Sequence, residues 1–164
     1  MDYVAESKRM FDRGDYQWKN ALGFDLHQRD PKLTALWAIL CAECLLSHRF
    51  PGRLHDLQND LSLAKRRLNA FPESGDPKKL EYEIWYRPNR DAPQTAMSKL
   101  FTAIREFHQR GNCVWASGAV IANLVADDWT ETTGTVTSRE LYDIVLLCYF
   151  GILNKIESDP DTVG

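Results

Sequence analysis

Apolar residues recur at three- and four-residue spacing along most of this chain, and no other feature constrains the fold as strongly. The spacing is clearest through Leu54, Leu57, Leu61 and Leu68, with charged residues between them. A repeat of this length places apolar side chains on one face of an α-helix, whereas a half-buried strand needs strict alternation. The sequence therefore predicts an all-α fold without a convincing sheet.

Helix-breaking residues divide this pattern into seven predicted helices. Gly14 and Gly111 stand where helices end, and Pro31 stands where the first turn of a helix accepts it. The predicted helices cover residues 4–13, 16–28, 33–46, 54–68, 93–110, 113–127 and 141–156, with a polar surface loop at 130–136. We expect a helical bundle, or a short stacked array of helix hairpins, with six to seven helices.

The domain organisation follows from length and composition. The chain has 164 residues, of which 44% are hydrophobic, and these values suit one globular domain with its own core. We predict a single domain, residues 1–164. It has N-terminal helices at 1–70, a proline-rich aromatic loop at 71–93, C-terminal helices at 94–157 and a frayed tail at 158–164.

The predicted loop contains four of the seven prolines of the chain. Within it, residues 80–86 are rich in aromatic and β-branched side chains, which also suits a short strand. A single strand would have no partner, so we interpret the segment as a loop that packs its aromatic residues.

The predicted helix at 33–46 is apolar nearly all round, which is typical of a central, buried helix. Outside it, the longest apolar stretch runs from Ile144 to Leu153 and is far shorter than the roughly 20 residues that span a membrane. Four cysteines are too few for a disulfide scaffold. We therefore expect a cytoplasmic protein without a membrane partner.

The four cysteines and four histidines do not form a recognisable metal motif. Cys41 and Cys44 have the spacing of a metal-binding or redox pair, but a structural zinc site needs a second pair. Cys113 and Cys148 occur singly, far along the chain, so the pair is more simply interpreted as small core residues. We expect no metal ion and no cofactor.

A basic middle segment is the first candidate for binding. The net charge is −3, yet residues 48–90 carry nine basic and six acidic side chains. Arg53, Lys65, Arg66 and Arg67 are the candidate contacts to a nucleic acid, and the alternative is a solvated helix face.

Arg49 and His55 stand six residues apart at the junction of two predicted helices. This spacing resembles the Arg-x(4–6)-His signature of HEPN domains, an all-α family that includes many metal-independent RNases. The resemblance implies that Arg49 holds a phosphate and that His55 moves a proton.

A second resemblance lies at the start of the chain. Gly14, Asp15 and Tyr16 precede Asp30-Pro31 with the spacing found in the second helix of a tetratricopeptide repeat, and the 34-residue period carries forward to Trp37. Residues 3–50 thus resemble tetratricopeptide-repeat hairpins. The resemblance implies stacked helix pairs with a concave groove that grips a partner peptide.

A cluster of large aromatic and basic residues completes the candidates. Its composition is that of an interface anchor, and its members are Tyr82, Trp85, Tyr86, Arg87 and Arg90. The sequence contains no nucleophile–base pair, phosphate-binding loop or metal set, which favours a binding module over an enzyme. We predict a non-catalytic adaptor, accessory or regulatory subunit that binds a protein partner. The alternative is a helical RNA-binding protein or a HEPN-like RNase that uses Arg49 and His55.

Overall fold

A computed structural model of the chain describes residues 1–72, 75–88, 90–125 and 139–158, which form helices without any strand. These residues comprise α1 (Tyr3–Asp12), α2 (Trp18–Arg29), α3 (Pro31–Arg49), α4 (Leu54–Asn69), α5 (Lys79–Trp85), α6 (Ala92–Arg110), α7 (Val114–Val125) and α8 (Arg139–Ser158), with one turn of 3-10 helix at Pro51–Arg53. The all-α class is confirmed. The described residues form eight α-helices, whereas six to seven were predicted for the chain.

The glycine and proline residues that were predicted to end or begin helices do so in the structure. Gly14 and Gly111 have φ values of 78° and 68°, in the left-handed region that glycine adopts without strain. Asp30 caps α3, because its side chain accepts a hydrogen bond from the Lys32 amide at 2.8 Å, and Pro31 occupies the first helical position.

The additional helix is α5, and it corrects the prediction of a loop at 71–93. The Asp76 side chain accepts a hydrogen bond from the Lys78 amide at 2.9 Å just before the helix, and Ile84 is fully buried. Leu80 also packs on the core, one helical turn before Ile84. This four-residue spacing behind Asp76-Pro77 was the helical signal. The prediction gave too much weight to aromatic and β-branched residues, whose strand preference depends on context.

The core is built around α3, which packs against α2, α4, α6, α7 and α8. Trp37, Cys41 and Leu45 are fully buried on this helix, as its apolar composition predicted. A cluster of three aromatic side chains joins α1, α2 and α8. The ring centroids of Phe11, Trp18 and Tyr142 lie 4.3–5.9 Å apart.

Some predicted segments lie outside the described residues, namely the loop at 130–136 and residues 159–164 of the tail. Ser158, which was also assigned to the tail, is the last residue of α8.

No single helix within the described ranges is long and apolar enough to cross a membrane. One sharply bent pair, residues 31–49 with 51–69, meets the length and composition test only when its two parts are counted together.

Candidate functional site

A groove runs along α3, between α4 on one side and α8 on the other. Its floor consists of Leu36, Leu40 and Cys44, which are spaced by one helical turn and are only half-buried. Both flanking helices pack on α3, and their side chains form the walls. The sequence predicted α3 to be buried all round, whereas the described residues cover this one apolar stripe only in part.

Two adjoining cavities define the groove. The first has a volume of about 650 Å³ and is lined by Leu40, Glu43, Cys44, Ser47, Ile144, Leu147 and Cys148. The second has a volume of about 480 Å³ and is lined by Lys32, Leu36, Ile39, Leu40, Glu43, Lys65, Leu68, Asn69, Ile152 and Lys155. The two cavities share Leu40 and Glu43, so the groove is continuous over both halves of α3.

The α8 wall carries an exposed apolar rim. Leu147 is 69% exposed beside the first cavity, and Phe150 is 40% exposed further along the same helix. Phe150 lines neither cavity, so Leu147 is the exposed apolar residue of α8 at the groove. A single exposed apolar residue is ordinary, but one that adjoins an apolar floor is characteristic of binding surfaces.

The charges of the groove are unevenly distributed. Lys65 forms an ion pair with Glu43 at 2.9 Å in the middle of the groove. Lys32 and Lys155 lie together at the end formed by the first turn of α3 and the last turns of α8. Neither of these two lysines forms an ion pair within the part of the chain that the structure describes, so this end of the groove offers two cations to a partner.

Three thiols meet beside the first cavity, where α3 packs on α8. Cys41 and Cys44 approach Cys148 within hydrogen-bonding reach, and all three are free thiols. The hydrogen bond from Cys41 lowers the pKa of Cys148, and the hydrogen bond from Cys44 lowers it further. Burial acts in the opposite direction, and the resulting pKa of Cys148 is about 7. Burial raises the pKa of Cys44 to about 12 and that of Cys41 well above its ordinary value.

The sequence did not predict that these three thiols lie close together, because more than a hundred residues separate Cys148 from the Cys41–Cys44 pair. The apolar spacing of α8 placed Cys148 on a buried face, but no signal identified α3 as the helix that this face contacts. Within residues 1–72, 75–88, 90–125 and 139–158, no group of three His, Cys, Asp or Glu side chains is arranged to hold a metal ion.

The predicted partner-binding residues lie on or just after α5. Tyr82 and Tyr86 are exposed and one helical turn apart. Trp85 is half-buried, with the Arg90 guanidinium over its ring at 3.8 Å from the centroid. These four residues form one surface, which we call the α5 aromatic surface.

Arg87 differs from the other members of this predicted cluster because it ties three helices together. Its guanidinium forms two hydrogen bonds with Asp60 of α4, at 2.6 and 3.0 Å, and a third with the Gln94 side chain of α6 at 3.1 Å. The hydrogen bond to Asp60 also raises the pKa of Arg87.

We therefore expect Arg87→Ala to lower the free energy of unfolding by about 1–2 kcal/mol, since it leaves the largely buried Asp60 carboxylate without its partner. Tyr86→Ala is the matched control on the same surface, and a change below about 0.5 kcal/mol is expected because Tyr86 is 79% exposed. Urea unfolding followed by far-UV circular dichroism measures both. Equal stabilities for the two variants would contradict the structural assignment of Arg87.

The candidate RNase pair flanks a helix junction. Arg49 is in the last turn of α3 and its guanidinium lies 5.8 Å from the centroid of the Phe50 ring. His55 is exposed in the first turn of α4 and lines a third cavity of about 430 Å³, which adjoins the groove through Glu43, Ser47 and Lys65.

The candidate nucleic-acid residues are partly engaged with carboxylates. Arg53 forms ion pairs with Asp56 and Asp91, and Lys65 is paired with Glu43. Arg66 is exposed near the end of α4, and the backbone carbonyl of Arg67 is 2.8 Å from Nε2 of His108. Acidic groups beside two of the four cations reduce the positive potential available to a phosphate.

Comparison of the chain with known proteins identifies no related protein. No family model, curated protein or solved structure matches this chain.

Proposed function

We propose that this protein is a non-catalytic protein-interaction module that binds one helix of a partner in the groove of α3, α4 and α8. The single observation that carries the proposal is the half-buried stripe of Leu36, Leu40 and Cys44 on a helix whose other faces are buried. A helix that is apolar all round is stable in water when every face is covered. A partner would supply the missing cover.

The dimensions of the groove suit an α-helix. From Lys32 to Ser47 the floor rises by roughly 22 Å at 1.5 Å per residue, which equals about 15 residues of a partner helix. Recognition of an amphipathic helix by an apolar groove is a common mode of peptide binding. Each Leu or Ile that such a helix buries contributes about 1.5–3 kcal/mol before the costs of association.

The charge of the groove specifies the partner further. Lys32 and Lys155 lie at one end without an acidic partner among the described residues, so the partner helix should carry acidic side chains beside its apolar stripe there. Opposite charges at the rim of an interface favour the correct orientation and increase the association rate. The proposed ligand is therefore an acidic amphipathic helix.

Two synthetic helical peptides test this proposal. Both carry the same leucine stripe, and the positions flanking it are glutamate in one peptide and lysine in the other. Fluorescence anisotropy at low salt should show the glutamate peptide binding at least about tenfold more tightly, a difference of about 1.4 kcal/mol. The charge-reversed protein Lys32→Glu/Lys155→Glu should prefer the lysine peptide. Lys78→Glu/Lys79→Glu changes the net charge equally at the start of α5, away from the groove, and should keep the original preference.

A second pair of variants locates the binding surface. Leu147→Asp places a charge on the groove rim, and Tyr86→Asp places one on the α5 aromatic surface; both side chains are largely exposed, so folding should be retained. Loss of peptide binding in Leu147→Asp alone supports the groove. Loss in Tyr86→Asp alone moves the interface to α5 and contradicts the proposal. Self-association that Leu147→Asp abolishes would assign the groove to a second copy of the chain.

The alternative of an RNA-binding protein is tested with the same samples. Binding of labelled single-stranded RNA should be absent at low salt if the groove carries the function. Binding that weakens steeply with salt and is lost in Arg66→Glu/Arg67→Glu would favour the nucleic-acid role instead.

A further inference from the structure

Three thiols lie at the groove, and one of them, Cys44, also forms part of its floor. Two of them come from consecutive turns of α3 and the third from α8, so a bond between the helices would be a covalent link across the wall of the groove. Both Cys44 and Cys148 line the cavity of about 650 Å³. The sulfur atoms therefore border an open space large enough for a small reagent.

We propose that Cys148 is an oxidisable thiol that reacts with a small hydroperoxide, and that Cys44 then closes a disulfide with it. The thiols share the groove with the proposed docking function, but their oxidation does not require a bound partner. Cys148 accepts hydrogen bonds from two neighbouring thiols, which stabilise its thiolate, the nucleophilic form of cysteine. Cys41 and Cys44 remain protonated at neutral pH because burial raises their pKa values.

The surroundings select the oxidant. Cys148 is only 5% exposed, and the cavity beside it is lined mainly by apolar side chains such as Leu40 and Ile144. A small uncharged hydroperoxide is therefore the oxidant that these surroundings hinder least.

The reaction proceeds in two balanced steps. The Cys148 thiolate attacks the terminal oxygen of the hydroperoxide, forming an S–O bond and breaking the O–O bond, and the alkoxide or hydroxide that leaves takes a proton from solvent. The sulfur is thereby oxidised to a sulfenic acid. The Cys44 sulfur then attacks the Cys148 sulfur, and the S–O bond breaks as the proton of Cys44 leaves with the hydroxide as water. An external dithiol reverses the disulfide.

Cys44 is the resolving residue for a geometric reason. A hydrogen-bonded pair of sulfur atoms must move closer to reach the bond length of about 2.05 Å. Cys41 is fully buried in the core and has no free space around it, whereas Cys44 is half-buried and borders the cavity. The same open side provides a path for the water that leaves.

Cys113 serves as an internal control, since it is buried to a similar extent and burial raises its pKa to about 11. Cys148 borders an open cavity, and hydrogen bonds from two thiols lower its pKa, whereas Cys113 does not line that cavity. We expect Cys148 to react with hydrogen peroxide at least about tenfold faster than Cys113.

The test uses the reduced full-length protein treated with hydrogen peroxide. Intact mass should decrease by one hydrogen from each of two thiols, and non-reducing peptide mapping should identify a Cys44–Cys148 bridge that dithiothreitol removes. In Cys44→Ala the sulfenic acid should persist on Cys148 and be trapped by dimedone. Equal oxidation of Cys113 and Cys148, or an unchanged mass, would overturn the proposal. A Cys41–Cys148 bridge would overturn the role of Cys44.

Discussion

Replacing Glu81 with alanine should lower the free energy of unfolding by about 3–5 kcal/mol, because it leaves the Arg105 guanidinium buried without its partner. Both side chains are about nine-tenths buried between α5 and α6. The Arg105 Nε atom lies 2.6 Å from Glu81 Oε1, and its Nη2 atom lies 3.3 Å from Oε2. The hydrogen bond to Glu81 raises the pKa of Arg105. The guanidinium keeps its charge in the variant as well, because arginine is not deprotonated in proteins.

Glu81 holds α5 in place through more than this pair. Thr102 donates a hydrogen bond to Glu81 Oε2 at 2.8 Å, and Ser98 donates one to the Glu81 backbone carbonyl at 3.2 Å. An isolated helix of seven residues is unstable in water, so α5 depends on these contacts and on buried Ile84. The variant should therefore lose hydrogen-exchange protection at Lys79–Trp85 before the rest of the chain does.

Urea unfolding measures the loss, with Glu83→Ala as the matched control. Glu83 is on the same helix but exposed, and its carboxylate is 3.9 Å from Lys79, so a change below about 0.5 kcal/mol is expected. The double variant Glu81→Leu/Arg105→Met should recover most of the stability, because apolar residues replace both buried charges. A Glu81→Ala protein as stable as the Glu83→Ala protein would show that the buried pair makes no net contribution.

The fold was predictable where local chemistry decided it. Gly14, Asp30 with Pro31, and Gly111 set helix ends through backbone conformation and capping, which depend on neighbouring residues alone. The helix α5 was missed because its stability comes from Glu81 and Ile84 contacting α6, a tertiary interaction that local propensity does not contain.

The groove and the thiol cluster could not be predicted for a related reason. The apolar periodicity of α3 shows that each of its faces prefers burial, but it does not show which face the chain itself covers. Leu40 and Leu45 look alike in sequence, yet Leu45 is fully buried and Leu40 lies on the groove floor. Likewise, the contact between Cys44 and Cys148 depends on the packing of α8 against α3, which joins distant parts of the chain.

The buried Lys19 gives the second large expected effect, a pH-dependent one. Lys19 is 4% exposed, and burial lowers its pKa to about 8, although the nearby charge of Asp15 acts in the opposite direction. Its ammonium group donates a hydrogen bond to the Tyr16 carbonyl and lies 5.1 Å from the centroid of the Tyr16 ring. These contacts compensate only part of the lost hydration.

The sign of the effect follows from proton binding. Between pH 8 and the ordinary lysine pKa of 10.5, the unfolded chain keeps a proton on Lys19 that the folded chain has released. Stability from this residue therefore rises with pH across that window. The shift of about 2.5 units corresponds to about 3 kcal/mol, which is the cost of folding with a charged Lys19 below pH 8.

Lys19→Met removes this titration while keeping a side chain of similar length. The difference in unfolding free energy between Lys19→Met and wild type should favour the variant most near pH 7 and decrease by about 3 kcal/mol by pH 10.5. Taking the difference is necessary, because the raised pKa values of Cys44 and Cys113 reduce the stability of both proteins above their ordinary pKa of 9.0. A difference that stays constant with pH would mean that Lys19 reaches water in the folded protein and keeps its ordinary pKa.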